Sequence, residues 1–366
     1  MLVKGGAERN PINQHTLLID TTRESPQPWT LCHQDVSMTQ PMDRHSPDKP
    51  LAATAPLQRL AAIDLGSNSF HLLVANYQEG RLQAISRLGE KVQLAAGLDK
   101  ANRLSEEAIQ RALSCLARFV PLLGDIAPGR LRVVGTSALR TARNRQAFVE
   151  RAESLLGCRI EVIDGREEAR LIYLGAAHAL VESGKRLIVD IGGGSTEFAI
   201  GENFAPLHLE SLDIGCVTFT QRHFSDGTLC EASVGRAEQA AKAACSQVSR
   251  AYRAFGWTDP VGSSGTIKAV ASVLAASGES AEEGTITRQG LLVLRQRLIA
   301  CGHLDNVAME GLKLDRARIF PAGVAILGAI FETFGLTRMR FADGALREGV
   351  LYDMVKRNGE FASNSD

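Results

Sequence analysis

Two loops in the sequence share one make-up: Asp64-Leu-Gly66-Ser67-Asn68-Ser69 and Asp190-Ile-Gly192-Gly193-Gly194-Ser195-Thr196. Glycines let backbone N–H groups approach an anion closely, and hydroxyls add donors. Both loops therefore suit phosphate oxygens. One such loop alone reads equally well as a tight hairpin turn, whereas two in matching contexts favour the anion. Neither is a P-loop, because no GxxxxGKS or GxxxxGKT is present. Nor does Gly192-x-Gly194-x-x-Glu197 complete a dinucleotide fingerprint, since Glu stands in place of the third glycine and a strand follows.

Acids accompany the loops. A carboxylate beside a phosphate is repelled unless a cation lies between them, and Mg²⁺ takes one or two carboxylates together with phosphate oxygens and waters. Asp190 with Glu197 on the returning strand, and Asp64 at the first loop, are the candidate metal ligands. The competing reading is that these acids only cap their turns.

The stretch Ile163-Asp-Gly-Arg-Glu167-Glu168-Ala-Arg-Leu-Ile172 holds a candidate base. Asp164 reads as a helix N-cap, with Glu167 three residues on as its capping-box partner. Counting about 100° per residue from Glu168, Ile172 falls near 40°, Ala179 near 20° and Gly175 near 340°. Glu168 thus sits at the centre of an apolar face and Glu167 at its edge. Burial raises a carboxyl towards the range useful for proton transfer. The alternative is a partly solvated first-turn acid favoured by the helix dipole. Arg140, after the turn Gly135-Thr136-Ser137, can clamp a phosphoryl group. Lys91, Arg143 and Arg347 are further cations. His71 stays open between a substrate contact and a satisfied structural imidazole.

These residues need elements to position them. Strands are expected over Ala61–Leu65, Phe70–Tyr77, Arg81–Leu88, Leu131–Val134 and Arg159–Ile163, and helices from Ser105, over Arg145–Leu156 and from Asp164. Further along come a helix near Gly235–Phe255, a strand and glycine turn over Pro260–Thr266 that adds Gly265 to the phosphate contacts, and a last helix after Asp343-Gly344. Strands alternating with helices predict an α/β fold. Asp190 follows Asp64 by 126 residues, about one domain, so the matching loops imply two related domains.

The chain of 366 residues carries 41 basic and 41 acidic side chains. That balance argues against a nucleic-acid binder held by counterion release. No run of about 18 apolar residues predicts a membrane span. Seven scattered Cys without a CxxC pair read as reduced thiols in a cytoplasmic protein. Residues 1–55, rich in polar residues and Pro, are expected to be a disordered extension, with Met38 and Met42 as alternative starts. Residues 358–366 read as a flexible tail.

Taken together, Ala62-Ile-Asp-Leu-Gly-Ser-Asn-Ser-Phe-His71, Gly135-Thr-Ser-Ala-Leu-Arg140, Asp164-Gly-Arg-Glu-Glu-Ala-Arg170, Asp190-Ile-Gly-Gly-Gly-Ser-Thr-Glu197, Gly262-Ser-Ser-Gly-Thr266 and Asp343-Gly-Ala-Leu-Arg-Glu-Gly-Val350 resemble the exopolyphosphatase/guanosine pentaphosphate phosphohydrolase (Ppx/GppA) family. The resemblance implies two ribonuclease-H-like domains of the actin, Hsp70 and sugar-kinase superfamily around a cleft. The first would cover residues 56–180 plus about 341–357, and the second 181–340. It implies Glu168 as the catalytic carboxylate and Mg²⁺ on Asp190 and Glu197. Many relatives continue into a helical HD-type domain; this chain stops before one, which predicts a short form that cleaves polyphosphate distributively.

The expected chemistry is hydrolysis of a terminal phosphoanhydride, in guanosine pentaphosphate (pppGpp, giving ppGpp) or in inorganic polyphosphate. Glu168 would deprotonate water and Arg140 would stabilise the transferred group, with no nucleic acid or membrane involved. A homodimer stays open. Competing readings are a dedicated exopolyphosphatase, an ATP-dependent kinase of the same superfamily, and a nucleotide-binding regulator without turnover.

Overall fold

A computed structural model describes residues 57–180, 184–280 and 284–357. The extension expected over 1–55 and the tail expected over 358–366 lie outside the described residues.

Two sheets form the scaffold. The first contains β1 (Gln58–Leu65), β2 (Ser69–Gln78), β3 (Arg81–Lys91), β4 (Leu131–Gly135) and β5 (Ile160–Val162), in the order β3-β2-β1-β4-β5. The second contains β6 (Lys185–Ile191), β7 (Thr196–Glu202), β8 (Ala205–Leu212), β9 (Asp259–Ser263), β10 (Thr285–Thr287) and β11 (Arg338–Phe341), in the order β10-β11-β9-β6-β7-β8. Each sheet opens with an antiparallel three-strand meander and continues with parallel strands reached by helical crossovers. The strand order is thus the same twice, save for the extra edge strand β10. This is the ribonuclease-H-like arrangement, and the protein is an α/β fold with two such units around a cleft.

The duplication reaches single residues. Asp64 pairs across the first hairpin with His71, and Asp190 pairs across the second with Glu197. The two hairpins therefore place an acid at the same point of each cleft wall but a different residue opposite it.

Helices α1 (Glu106–Leu123), α2 (Ser137–Thr141) and α3 (Arg145–Leu156) belong to the first half. Next along the chain come α4 (Gly165–Ala179), α5 (Cys216–His223), α6 (Glu231–Phe255), α7 (Ser264–Ala276), α8 (Arg288–Cys301), α9 (Phe320–Phe334) and α10 (Leu346–Arg357). One face of the first sheet packs Ile63, Phe70 and Leu72 against Leu116, Phe119 and Phe148 of α1 and α3. Its other face, through Leu60, Ala62 and Val134, meets Leu171, Ile172 and Tyr173 of α4 and Val350 and Leu351 of α10. The same cluster includes Ile188, Ala199 and Val261 of the second sheet. Helices α4 and α10 are therefore the layer between the sheets. The far face of the second sheet carries α5 to α9. Burial on both faces explains why β1 and β6 read as near-continuous apolar runs. The stretch 314–334 is long and apolar enough to cross a bilayer, yet 72% of its apolar window is buried among these helices.

Two glycines let α4 and α10 touch along their backbones. A Cβ on Gly175 would stand 2.0 Å from the Ala345 carbonyl, and one on Gly349 would stand 1.8 Å from that of Leu171. Beside this crossing, buried Asp353 of α10 accepts from Arg132 on β4, Arg170 on α4 and Arg357, each at 2.7 Å. Burial alone would lift the Asp353 pKa, but the three arginines hold it below the ordinary carboxylate range.

Candidate active site

The two glycine loops close on one another across the cleft. A Cβ on Gly193 would stand 2.9 Å from the Ser67 Cβ, and one on Gly194 would stand 2.5 Å from the Ser137 Oγ. Glycine is required at both positions by this approach rather than by backbone dihedrals. Ser67 Oγ in turn accepts from the Ala138 N–H at 3.1 Å, tying the first loop to the start of α2. Between the loops lies a cavity of about 310 Å³.

Most of the expected site residues meet there. Gly66 to Ser69, His71, Gly192 to Ser195 and Gly265 all line the cavity, together with Asp64, Asp190 and Glu168. Thr196 does not: it is fully buried and its hydroxyl donates to the Ile214 carbonyl. Arg140 and Glu197 also stand behind the wall rather than in it.

Helix α4 delivers Glu168. Asp164 caps it by accepting from the Glu167 N–H at 2.8 Å. The second half of a capping box is not formed, because the Glu167 carboxylate turns to Arg170 at 2.7 and 2.8 Å. Glu168 is only 7% exposed, on the buried face. Arg140 donates to its Oε2 at 2.5 Å and to the Ile163 carbonyl at 3.1 Å. Residues 137–141, expected as part of a turn, form the short helix α2, and this fixes the direction from which Arg140 reaches Glu168. Burial pushes the Glu168 carboxyl up to about 7, against the opposing pull of Arg140.

The other acids are raised as well. Burial, helped by the charge of Glu168, lifts Asp64 to about 7 while Arg347 opposes it. Burial lifts Asp190 to about 6, against the hydrogen bond from Ser263 at 2.6 Å. Glu197 is driven well above its ordinary value by burial and by Glu168; Ser211 donates to it at 2.9 Å, and Arg140 lies 4.0 Å away. His71 is pushed the other way, to about 3, by burial and by the charges of Arg347 and Arg316. Its imidazole is neutral at physiological pH. Gly89 on β3 leaves room for that ring, since a Cβ there would stand 2.6 Å from Nδ1.

Four buried carboxylates near one another call for a cation. Among the described residues no three-ligand cage exists. The donor set still fits Mg²⁺, which accepts one or two carboxylates and fills its shell with water and phosphate oxygens. Asp64 Oδ1 is buried without a hydrogen-bond partner, and both Asp64 and Asp190 face the cavity. Glu197 does not line the cavity, and its Oε1 accepts from Ser211.

The rim holds residues that sequence patterns did not single out. Arg316, in the turn Leu314–Ile319, lines the cavity with its guanidinium against Gly265, where a Cβ would stand 2.0 Å from Nη2. It makes no ion pair among the described residues. Nothing local distinguishes it from Arg318, which pairs with Asp305. Of the other cations named from sequence, Arg347 lines the cavity, Lys91 donates to the Asp315 carbonyl at 2.8 Å, and Arg143 is exposed outside it.

Known proteins resemble this chain in sequence and in fold. The chain is 47% identical over 298 residues to guanosine-5′-triphosphate,3′-diphosphate pyrophosphatase of Aeromonas hydrophila, covering 81% of this chain and 60% of that protein. The Vibrio cholerae protein of the same name is 45% identical over 305 residues, covering 83% and 60%. The chain thus spans about 60% of the length of the curated relatives it matches. Among solved structures, the Aquifex aeolicus Ppx/GppA family member superposes with a TM-score of 0.70 at 27% identity, covering 85% of this chain and 100% of that one. An exopolyphosphatase from Cytophaga hutchinsonii gives 0.74 at 27% identity, covering 82% and 98%. Residues 73–358 match the Ppx/GppA phosphatase family, and the chain belongs to it.

Proposed function

We propose that this protein hydrolyses the terminal phosphoanhydride of guanosine pentaphosphate. One observation carries the reading: a buried carboxylate, Glu168, held by Arg140, opens into a cavity between two facing glycine loops. The loops supply N–H groups for the phosphate oxygens and set the chain's direction. Arg316 and Arg347 add positive charge at the rim. Mg²⁺ held by Asp64 and Asp190 would offset charge on the phosphate oxygens.

In the step itself, a water oxygen bonds to the terminal phosphorus while the bridging P–O bond breaks. Glu168 takes the water proton through the carboxylate oxygen turned to the cavity. The shortened phosphate chain leaves with the electron pair of the broken bond. Glu168 must be ionised to act, and Arg140 favours that form by donating to it. Ser195, which accepts from the Arg140 guanidinium at 3.5 Å, and Glu197, 4.0 Å from it, keep that guanidinium aimed at Glu168.

The names of the nearer relatives support the nucleotide substrate. The likeness to the Cytophaga exopolyphosphatase supports polyphosphate as the second reading. A phosphate-release assay with guanosine pentaphosphate, tripolyphosphate and long polyphosphate tests both. Turnover of the nucleotide without added ATP or acceptor is the expected result. ATP-dependent transfer to an acceptor would make the protein a kinase, and binding without phosphate release would make it a regulator.

A further inference from the structure

The mouth of the cavity carries a group that the phosphate chemistry does not use. Phe341 ends β11, and Asp343 follows two residues on; both line the cavity with Lys268, the fifth residue of α7. The Lys268 ammonium lies 5.4 Å from the Phe341 ring centroid and 3.2 Å from Asp343 Oδ1. The two charged side chains are 56% and 70% exposed. An exposed ion pair of this kind adds little to stability and opens easily for a ligand. For an inorganic phosphate chain the group is poorly chosen, because an exposed carboxylate repels a polyanion and an aromatic face offers it nothing.

For a guanine base the same three residues are complementary. Guanine's pairing edge presents one acceptor, O6, beside two donors, N1–H and the exocyclic amine. Lys268 beside Asp343 presents one donor beside two carboxylate acceptors. Bases stack on aromatic rings, and Phe341 supplies one next to that edge. Adenine reverses the pattern, with an acceptor at N1, and would meet the carboxylate unfavourably.

We propose that Phe341, Lys268 and Asp343 form a guanine-recognising subsite at the mouth of the cavity, with Phe341 stacking and the Lys268–Asp343 pair reading the base edge. The inference rests on the guanosine pentaphosphate reading above and names the part of the site that selects that substrate over polyphosphate.

Two measurements on the full chain test it. In the first, kcat and KM are measured for guanosine pentaphosphate and for tripolyphosphate in the wild type, Asp343→Asn and Phe341→Leu. Losing hydrogen bonds to a charged group should raise KM for the nucleotide about tenfold or more. The ratio of nucleotide to tripolyphosphate efficiency should fall accordingly, with kcat changing far less than KM. In the second, calorimetric titration compares GDP, IDP and ADP. The wild type should bind GDP most tightly, IDP more weakly for want of the exocyclic amine, and ADP most weakly; Asp343→Asn should flatten that order. Equal binding of the three diphosphates, or an efficiency ratio unmoved in both variants with melting midpoints intact, would overturn the subsite. A wild type that binds GDP selectively but releases no phosphate would leave the subsite standing and remove the hydrolase reading.

Discussion

Replacing Glu168 by Gln tests the centre of the mechanism. The substitution keeps shape and removes the proton acceptor. A general base contributes about a hundredfold to ten-thousandfold in rate, so turnover should fall at least about a hundredfold, near 3 kcal/mol of barrier. The wild-type pH profile gives a second magnitude. With the carboxyl raised to about 7, about nine tenths is ionised at pH 8 and about one tenth at pH 6, so activity should drop about tenfold over that interval. The sign is set by the active form: the ionised carboxylate works, so activity rises with pH. Arg140 favours that form, so Arg140→Ala should move the limb to higher pH. A cation on Asp190 removes one charge that raises Glu168 and moves the limb lower, so profiles are compared at fixed Mg²⁺. Glu167→Gln is the control, because its carboxylate bonds Arg170 and not the cavity. It should cost stability of about 1 kcal/mol, the scale of a half-exposed pair in a network, and change the rate less than about fivefold. Phosphate release and thermal melting on the same preparations give both quantities. Equal rate losses for the two variants, or a Glu168→Gln enzyme retaining a tenth of wild-type turnover, would refute the assignment.

Asp190→Asn should shift the Mg²⁺ activation curve to higher concentration and abolish any rise of the melting midpoint on adding Mg²⁺, since a buried ligand charge is lost. Arg316→Ala and Gly265→Ala should weaken substrate binding in parallel, the second by displacing the guanidinium that now lies 2.0 Å from the added methyl position; KM measurements on both decide it. Asp353→Ala leaves three arginines around a vacated buried site and should destabilise by roughly 3–5 kcal/mol, read by urea titration. In the wild type the Asp353 carboxyl is held low, so its contribution is present at neutral pH and lost as pH falls through the acid range. A chain starting near Pro56 should keep its activity and melting midpoint, which calorimetry and phosphate release check together.

Where periodicity carries information, the sequence was readable. Glu168 could be chosen over Glu167 because the helical repeat puts it among Ile172, Gly175 and Ala176, which are buried; burial also extends to Ala169, Tyr173 and Ala177, and Ala179 at the helix end is exposed. The paired loops could be matched because each follows a strand and carries the same Asp-x-Gly spacing. Depth behind a wall is another matter. Strand alternation says which face Glu197 occupies, not that Ser211 holds it beneath the cavity lining. Arg140 could be seen to follow a strand, but its bond to Glu168 crosses 28 residues and depends on α2 and α4 meeting. Arg316 and Arg318 are indistinguishable in an exposed basic run until the turn that carries them is folded.

The closure of the first unit by α10 has a consequence for biosynthesis. Arg132 and Asp353 are separated by 221 residues. At translation rates of about 5–20 residues per second, roughly 10–45 s pass between the appearance of one and of the other. Throughout that interval Arg132 on β4 has Glu161 as a partner but lacks the buried carboxylate of Asp353, and the groove on α4 that receives Gly349 is open. The second unit, whose sheet is contiguous in the chain, can fold on the ribosome before the first is finished. The first unit is therefore completed last, and a pause or nick between residues 341 and 346 leaves a well-packed second unit joined to a first one whose α4 backbone is uncovered at Leu171 and Gly175, where Gly349 and Ala345 belong.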